Sequence, residues 1–222
     1  MNNLLQYNHM KSLSLSTPLV MMMVGKPGAG KSFFARQFSD TFNAPVVSYE
    51  RIRFELFSQP TFSVEEQSIV ERVAEYVISE LIKTRHTFIV DGGTNSRADR
   101  QRIASLARSA GYETLAVWVQ TDEATAHARA TKRDKRRIDD VFAPTITTDQ
   151  FKAFAGRMVE PSKEHHVVIS GKHTYSTQAR TVLRRIVESH QVESDRAHKE
   201  AVEGVVSSVR PNAPRNRNIV IR

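Results

Sequence analysis

The chain has 222 residues, 40% of them hydrophobic and 25% charged, with a formal net charge of +8 and no cysteine. That length accommodates one domain with a buried core and short additions rather than two enzyme domains. No apolar run approaches the roughly 20 residues that cross a bilayer, and the lack of cysteine excludes disulfides and thiolate zinc sites.

The positive charge is unevenly spread. Asp195 to Arg222 holds six Lys and Arg against three Asp and Glu, and Arg129, Lys132, Arg133, Lys135, Arg136 and Arg137 form a second cluster offset only by Asp134. Such a cluster serves nucleotide phosphates as readily as a nucleic acid, so charge alone does not select the partner.

In chain order, residues 1–18 are polar and read as a flexible lead-in. Leu19–Gly25 is a short apolar strand; it runs into a glycine-rich loop where a signal peptide would have a cleavage site, so the cytoplasm is the expected compartment. Further nearly continuous apolar runs at Ala44–Tyr49, Thr87–Asp91, Thr114–Gln120 and His166–Ser170 read as strands covered on both faces. Between them lie helical stretches at Lys31–Phe42, Val64–Thr84, Arg97–Ala110, Asp122–Lys132, Asp149–Met158 and Ser176–Val192. In the second of these, Ile69, Val73, Val77 and Leu81 recur at helical spacing and mark the expected buried face. Strand and helix in alternation predict an α/β fold: a three-layer sandwich with a five-stranded, mostly parallel sheet joined by right-handed crossovers. The charged, then Pro- and Thr-rich stretch from Asp134 to Thr148 lies between two helices and is expected to form a lid. Residues 193–222 read as a basic tail, with Ile219-Val220-Ile221 as a candidate apolar anchor back onto the core.

The most specific motif is Gly25-Lys26-Pro27-Gly28-Ala29-Gly30-Lys31-Ser32. In a Gly-x-x-x-x-Gly-Lys-Ser run the glycines let backbone N–H groups converge on phosphate, provided a strand precedes and a helix follows. Both are expected here. Gly25, Gly28, Ala29 and Gly30 then cradle the phosphates of ATP or GTP, Lys31 reaches the β and γ phosphates, and Ser32 coordinates Mg2+.

Other candidates stand at the same predicted sheet edge. Asp91 closes its strand and would share the magnesium with Ser32; a turn-initiating aspartate before Gly92-Gly93 is the competing reading. Glu50 ends the second predicted strand and Arg53 follows three residues later, so a helix starting near Arg51 would bring both over the phosphate loop. There Glu50 could act as a base and Arg53 could orient the acceptor or its phosphate; an ordinary solvated acid fits the same position. Arg129 and Arg133 are four apart and would share a helix face on which they grip polyphosphate oxygens, although a solvated charged helix is the commoner meaning of such a run.

At these residues the chain resembles the P-loop kinases of the polynucleotide kinase and zeta-toxin-like group, over roughly Leu19 to Val192. The pieces are the phosphate loop, Val47-Ser48-Tyr49-Glu50-Arg51-Ile52-Arg53, Val90-Asp91-Gly92-Gly93-Thr94-Asn95 with Arg97 and Arg100, the Arg129 and Arg133 pair, and Pro161 with Glu164. The resemblance implies an ATP-dependent kinase whose acceptor base falls on Glu50, where the group has Asp, and whose lid arginines fall on Arg129 and Arg133. It implies transfer of the γ-phosphate to a hydroxyl on a polynucleotide end, a nucleoside or another small molecule. Two readings from other classes compete: a nucleotide-dependent switch or ATPase module, and a nucleic-acid-binding ATPase without phosphotransfer. Thr131-Lys132-Arg133-Asp134 fits the guanine-reading pattern of switches, but it falls in a predicted helix and not at a strand end.

Overall fold

The computed structural model describes residues 15, 17–133 and 142–189. The lead-in at 1–18 apart from its last residues, the lid residues 134–141, the basic tail and the Ile219–Ile221 anchor lie outside the described residues. The chain divides into two compact units, Met1–Val182 and Leu183–Arg222; of the second, residues 183–189 are described, and all are helical.

Five strands, β1 (Leu19–Val24), β2 (Val46–Ser48), β3 (Phe88–Asp91), β4 (Glu113–Gln120) and β5 (His166–Ser170), form one sheet in the order β2-β3-β1-β4-β5. Every pairing is parallel. Six helices are α1 (Lys31–Phe42), α2 (Tyr49–Leu56), α3 (Val64–Lys83), α4 (Arg97–Ser109), α5 (Glu123–Thr131) and α6 (Thr148–Gly156), and residues 175–189 form α7. This is the expected α/β fold. β1, with every residue buried, takes β3 on one side and β4 on the other, which explains its unbroken apolar run Leu-Val-Met-Met-Met-Val.

Local chemistry sets most helix starts. Ser63, Ser96, Asp122 and Thr147 stand at the N-caps of α3, α4, α5 and α6, each accepting a backbone N–H with its side chain, and Thr147 with Gln150 completes a capping box. The start of α2 differs from the sequence expectation. β2 ends at Ser48, whose Oγ accepts the Arg51 N–H, so the helix begins at Tyr49 and Glu50 belongs to its first turn rather than to a strand end. A carboxylate in that turn faces the positive end of the helix dipole.

The buried face of α3 is also one residue out of phase with the expectation. Glu66, Val70, Ala74, Ile78 and Ile82 point inward, while Ile69 is 46% exposed and Val77 and Leu81 only flank the core. The true stripe opens on an acid and contains an alanine, so it is less hydrophobic than its neighbour; close approach of α3 to Val47, Phe88 and Val90 favours it nonetheless. Arg100, fully buried on α4, is held by Glu164 ahead of β5 (2.7 and 2.8 Å) and by the carbonyls of Thr94 and Asn95. It thereby ties the loop after β3 to the lead-in of β5.

The phase of α3 can be tested by substitution. Ile78→Ala is expected to lower unfolding free energy by about 2–5 kcal/mol in urea denaturation, whereas Ile69→Ala should stay within about 0.5 kcal/mol of the parent chain. Equal losses at both positions would contradict the observed face.

Candidate active site

Parallel pairing aligns the carboxyl ends of the strands. Met23 and Ser48 are both register partners of Asp91, Val24 pairs with Trp118, and Gln120 pairs with Ser170. The segments leaving these ends therefore share one edge: the loop Gly25 to Ser32, the start of α2 with Glu50, Asp91 with Gly92-Gly93, Thr121, and Gly171.

The loop has the backbone that its glycines predict. Gly28 and Gly30 have φ of 75° and 108°, in the region that favours glycine, and a Cβ on Gly28 would run into the carbonyl of Ala126 on α5. Gly30 is the N-cap of α1 and supplies no side-chain cap, so the first N–H groups of that helix remain directed at the loop, as an anion site requires. Lys31 crosses the loop and donates from Nζ to the carbonyls of Gly25 (2.7 Å) and Lys26 (3.0 Å). Burial pushes its pKa down and Arg133 adds to that, while Asp91 and Glu50 pull it back.

Three of the other expected residues share that electrostatic neighbourhood. Asp91 is 6% exposed at the end of β3. Burial raises the pKa of Glu50, with Asp91 adding to the rise and Arg53, Arg133 and Lys31 opposing it. Its side chain is 43% exposed overall, yet Oε2 is buried without a hydrogen bond and lies 3.6 Å from Nε of Arg53. Asp91 and Arg133 thus bear on both Lys31 and Glu50, which also act on each other, although the four come from separate stretches of chain.

Arg53 is placed differently from a group reaching toward phosphate. It is 2% exposed; Nη1 donates to Glu66 Oε1 at 2.6 Å, Nη2 donates to Gln67 Oε1, and the Phe62 ring covers the guanidinium at 4.8 Å. Glu66 Oε2 accepts from the N–H and Oγ1 of Thr61 and from the N–H of Phe62 (2.7, 2.9 and 3.2 Å). Sequence reasoning missed this lock. Its only trace is the Ser63-x-x-Glu66 spacing, which looks like a capping box; Ser63 does accept the Glu66 N–H, but the carboxylate turns away to Arg53 and the loop before α3.

Arg129 and Arg133 do not share a helix face, because α5 ends at Thr131 and Lys132 is its C-cap. Arg129 donates to the carbonyl of Gly171 (3.0 Å), while Arg133, beyond the helix, acts on Lys31 and Glu50. The base of α5 is fastened to the loop by the ion pair Lys26–Glu123 (2.6 Å), and Thr121 Oγ1 donates to the carbonyl of Ala29 (2.9 Å). Tyr49 packs under the Gly92-Gly93 turn, where side chains at either glycine would collide with its ring.

Comparison with known proteins matches residues 20–158 to the family model AAA_33, described as an AAA domain. The chain belongs to this family. Its fold is that of the P-loop kinases, as three solved structures illustrate. A protein of Chloroflexus aurantiacus j-10-fl assigned as a kinase superposes with a TM-score of 0.61 at 11% identity, covering 76% of this chain and 98% of its own. The APS kinase CysC of Mycobacterium tuberculosis, in complex with AMPPNP and APS, gives 0.57 at 16% identity over 77% and 98%. A chain of the Pnkp1/Rnl/Hen1 RNA repair complex gives 0.54 at 22% identity over 65% and 45%. No curated protein matches the chain by sequence. Among the described residues no helix is long and apolar enough to cross a membrane.

The Arg53–Glu66 lock has a pH signature. Burial alone would raise the Glu66 pKa, but the bonds from Arg53 and Thr61 outweigh it and hold it at about 2, against 4.5 for the free side chain. A depressed carboxylate adds stability that is complete above its unfolded pKa and fades as pH falls through the folded one. The stability difference between the parent chain and Glu66→Gln is therefore expected to be constant above about pH 5 and to shrink between about pH 4.5 and 2 in urea titrations.

Proposed function

We propose that the chain is an ATP-dependent phosphotransferase that moves the γ-phosphate to a hydroxyl acceptor. The observation that carries this reading is the loop geometry: Gly28 and Gly30 in the left-handed region, an uncapped start of α1, and Lys31 Nζ held across the loop by the carbonyls of Gly25 and Lys26. ATP is the proposed donor, with GTP the alternative; Thr131, the first residue of the guanine-reading pattern, is inside α5 with its hydroxyl donating to His127 O, so the described part of that pattern does not support a guanine site. In this reading the backbone from Gly25 through Ala29 to Gly30 cradles the phosphates, and Lys31 exchanges the carbonyls of Gly25 and Lys26 for phosphate oxygens. Arg129 and Arg133 neutralise charge that develops on the transferred group.

Ser32, at the start of α1, and Asp91, at the end of β3, offer a hydroxyl and a carboxylate, the hard oxygen donors that magnesium takes together with phosphate and water. They fit the ion, which when bound would neutralise the phosphate oxygens. Glu50 is the proposed base: its partly buried carboxylate has a pKa above the ordinary range, which suits proton uptake from a hydroxyl nearer to neutral pH.

Two substitutions test these roles. Lys31→Ala is expected to weaken ATP binding by about tenfold or more in calorimetry, since a charge-assisted contact of a few kcal/mol is lost; unchanged affinity would remove the loop from the reading. Glu50→Gln should reduce turnover by about a hundredfold while ATP affinity stays near the parent value. The ascending limb of the parent pH–rate profile should lie above the free glutamate value of 4.5, in the direction of the Glu50 shift.

A further inference from the structure

On the acceptor side of the loop, the guanidinium groups of α2 and of the inner part of α4 are already matched by carboxylates. Arg53 has both Nη groups engaged, by Glu66 and by Gln67, while its buried Nε makes no hydrogen bond and faces the Glu50 carboxylate at 3.6 Å. Arg51 lies 3.6 Å from Glu55, Arg100 is held by Glu164, and Arg102 pairs with Glu75 and Asp99. Glu66 is no more available than Arg53, because its second oxygen takes three bonds from Thr61 and Phe62. Phe62 itself is in the left-handed region, with φ of 59°, and its ring covers the Arg53 guanidinium at 4.8 Å.

An anionic group that reached Arg53 would have two outcomes, both unfavourable. If it displaced Glu66, it would leave that buried carboxylate without its cation. If it did not, it would sit beside the charges of Glu66 and Glu50 in a poorly hydrated site, where like charges repel strongly. A neutral hydroxyl compound meets neither penalty. We infer that the acceptor is an uncharged hydroxyl compound of the sugar, polyol or nucleoside class, and that Arg53 is a positioning residue that holds Glu50 instead of binding an acceptor phosphate. This rests on the phosphotransferase reading. In the transfer, the acceptor oxygen forms a bond to the γ-phosphorus, the bond from that phosphorus to the β–γ bridging oxygen breaks, ADP leaves, and the acceptor proton passes to Glu50.

The test uses the full chain with magnesium and γ-labelled ATP, and acceptor pairs that differ by one phosphate: adenosine against adenosine 3′-monophosphate, and ribose against ribose 5-phosphate. The same four compounds are titrated calorimetrically onto protein saturated with a nonhydrolysable ATP analogue. The uncharged member of each reacting pair is expected to have a kcat/KM higher by about tenfold or more. Glu66→Gln, which releases one edge of Arg53, should shift that ratio by about tenfold toward the phosphorylated member. Arg53→Gln should move the ascending limb of the kcat–pH profile upward, because the cation that favours ionised Glu50 is gone, with acceptor KM changed by less than about threefold.

A wild-type preference of about tenfold for the phosphorylated members would overturn the inference and leave the phosphotransferase reading intact. So would an acceptor KM raised about tenfold in Arg53→Gln with the pH limb unmoved. If ATP binds but no acceptor is labelled, the phosphotransferase reading fails and the acceptor inference that rests on it falls with it. Where labelling occurs, tighter calorimetric binding of the phosphorylated member of a reacting pair to the parent chain likewise overturns the inference. Should either variant fail to fold, the parent comparison is sufficient.

Discussion

Parallel pairing of β1 with β3 on one side and β4 on the other is the constraint on which the rest depends. Because all strands run the same way, every strand delivers its C-terminal residue to the same edge, and the chain reverses direction across the sheet around β1. The phosphate loop must leave from that central strand for residues from β2, β3 and the segment after β4 to flank it. Antiparallel insertion of any neighbour would send its candidate residue to the opposite edge.

Crowding so many charges at one edge has electrostatic consequences. Lys31 and Glu50 are both partly stripped of water, which by itself drives each toward its neutral form, and each is partly restored by the opposite charge nearby. Glu50 therefore keeps a pKa above the ordinary carboxylate range, raised chiefly by burial and restrained by Arg53, Arg133 and Lys31. Arg53 contributes to that balance, and Arg53 is in turn immobilised by Glu66, Gln67 and Phe62. The first turn of α3 and the loop before it thus bear on Glu50 through Arg53, without a side chain of either having to reach the phosphate loop.

The other side of the loop is organised by packing and by backbone contacts. Gly28 has no side chain because the carbonyl of Ala126 occupies the space, and α5 is pinned there by Lys26–Glu123. Arg129 and Thr121 extend this to Gly171 and Ala29. Arg129 and Arg133 consequently serve different neighbours, one the turn after β5 and the other the charged centre.

The sequence by itself determined the succession of strands and helices along the chain, the phosphate loop and nearly every helix start, because these are local: caps, glycines and apolar periodicity act within a few residues. It also carried Arg100 and Glu164 as separate motif pieces, although their pairing was invisible. Only the tertiary structure decided which stripe of α3 is buried, since two stripes with the same spacing competed and the sheet selected the one beginning with Glu66. It alone ended α5 before Arg133, separating two arginines that spacing had joined. And it alone showed Arg53 to be locked, because the partners Glu66 and Gln67 lie 13 and 14 residues further along the chain. Ion pairing is non-directional in sequence: a charged residue advertises that it needs a partner, but which carboxylate it meets depends on where the helices pack.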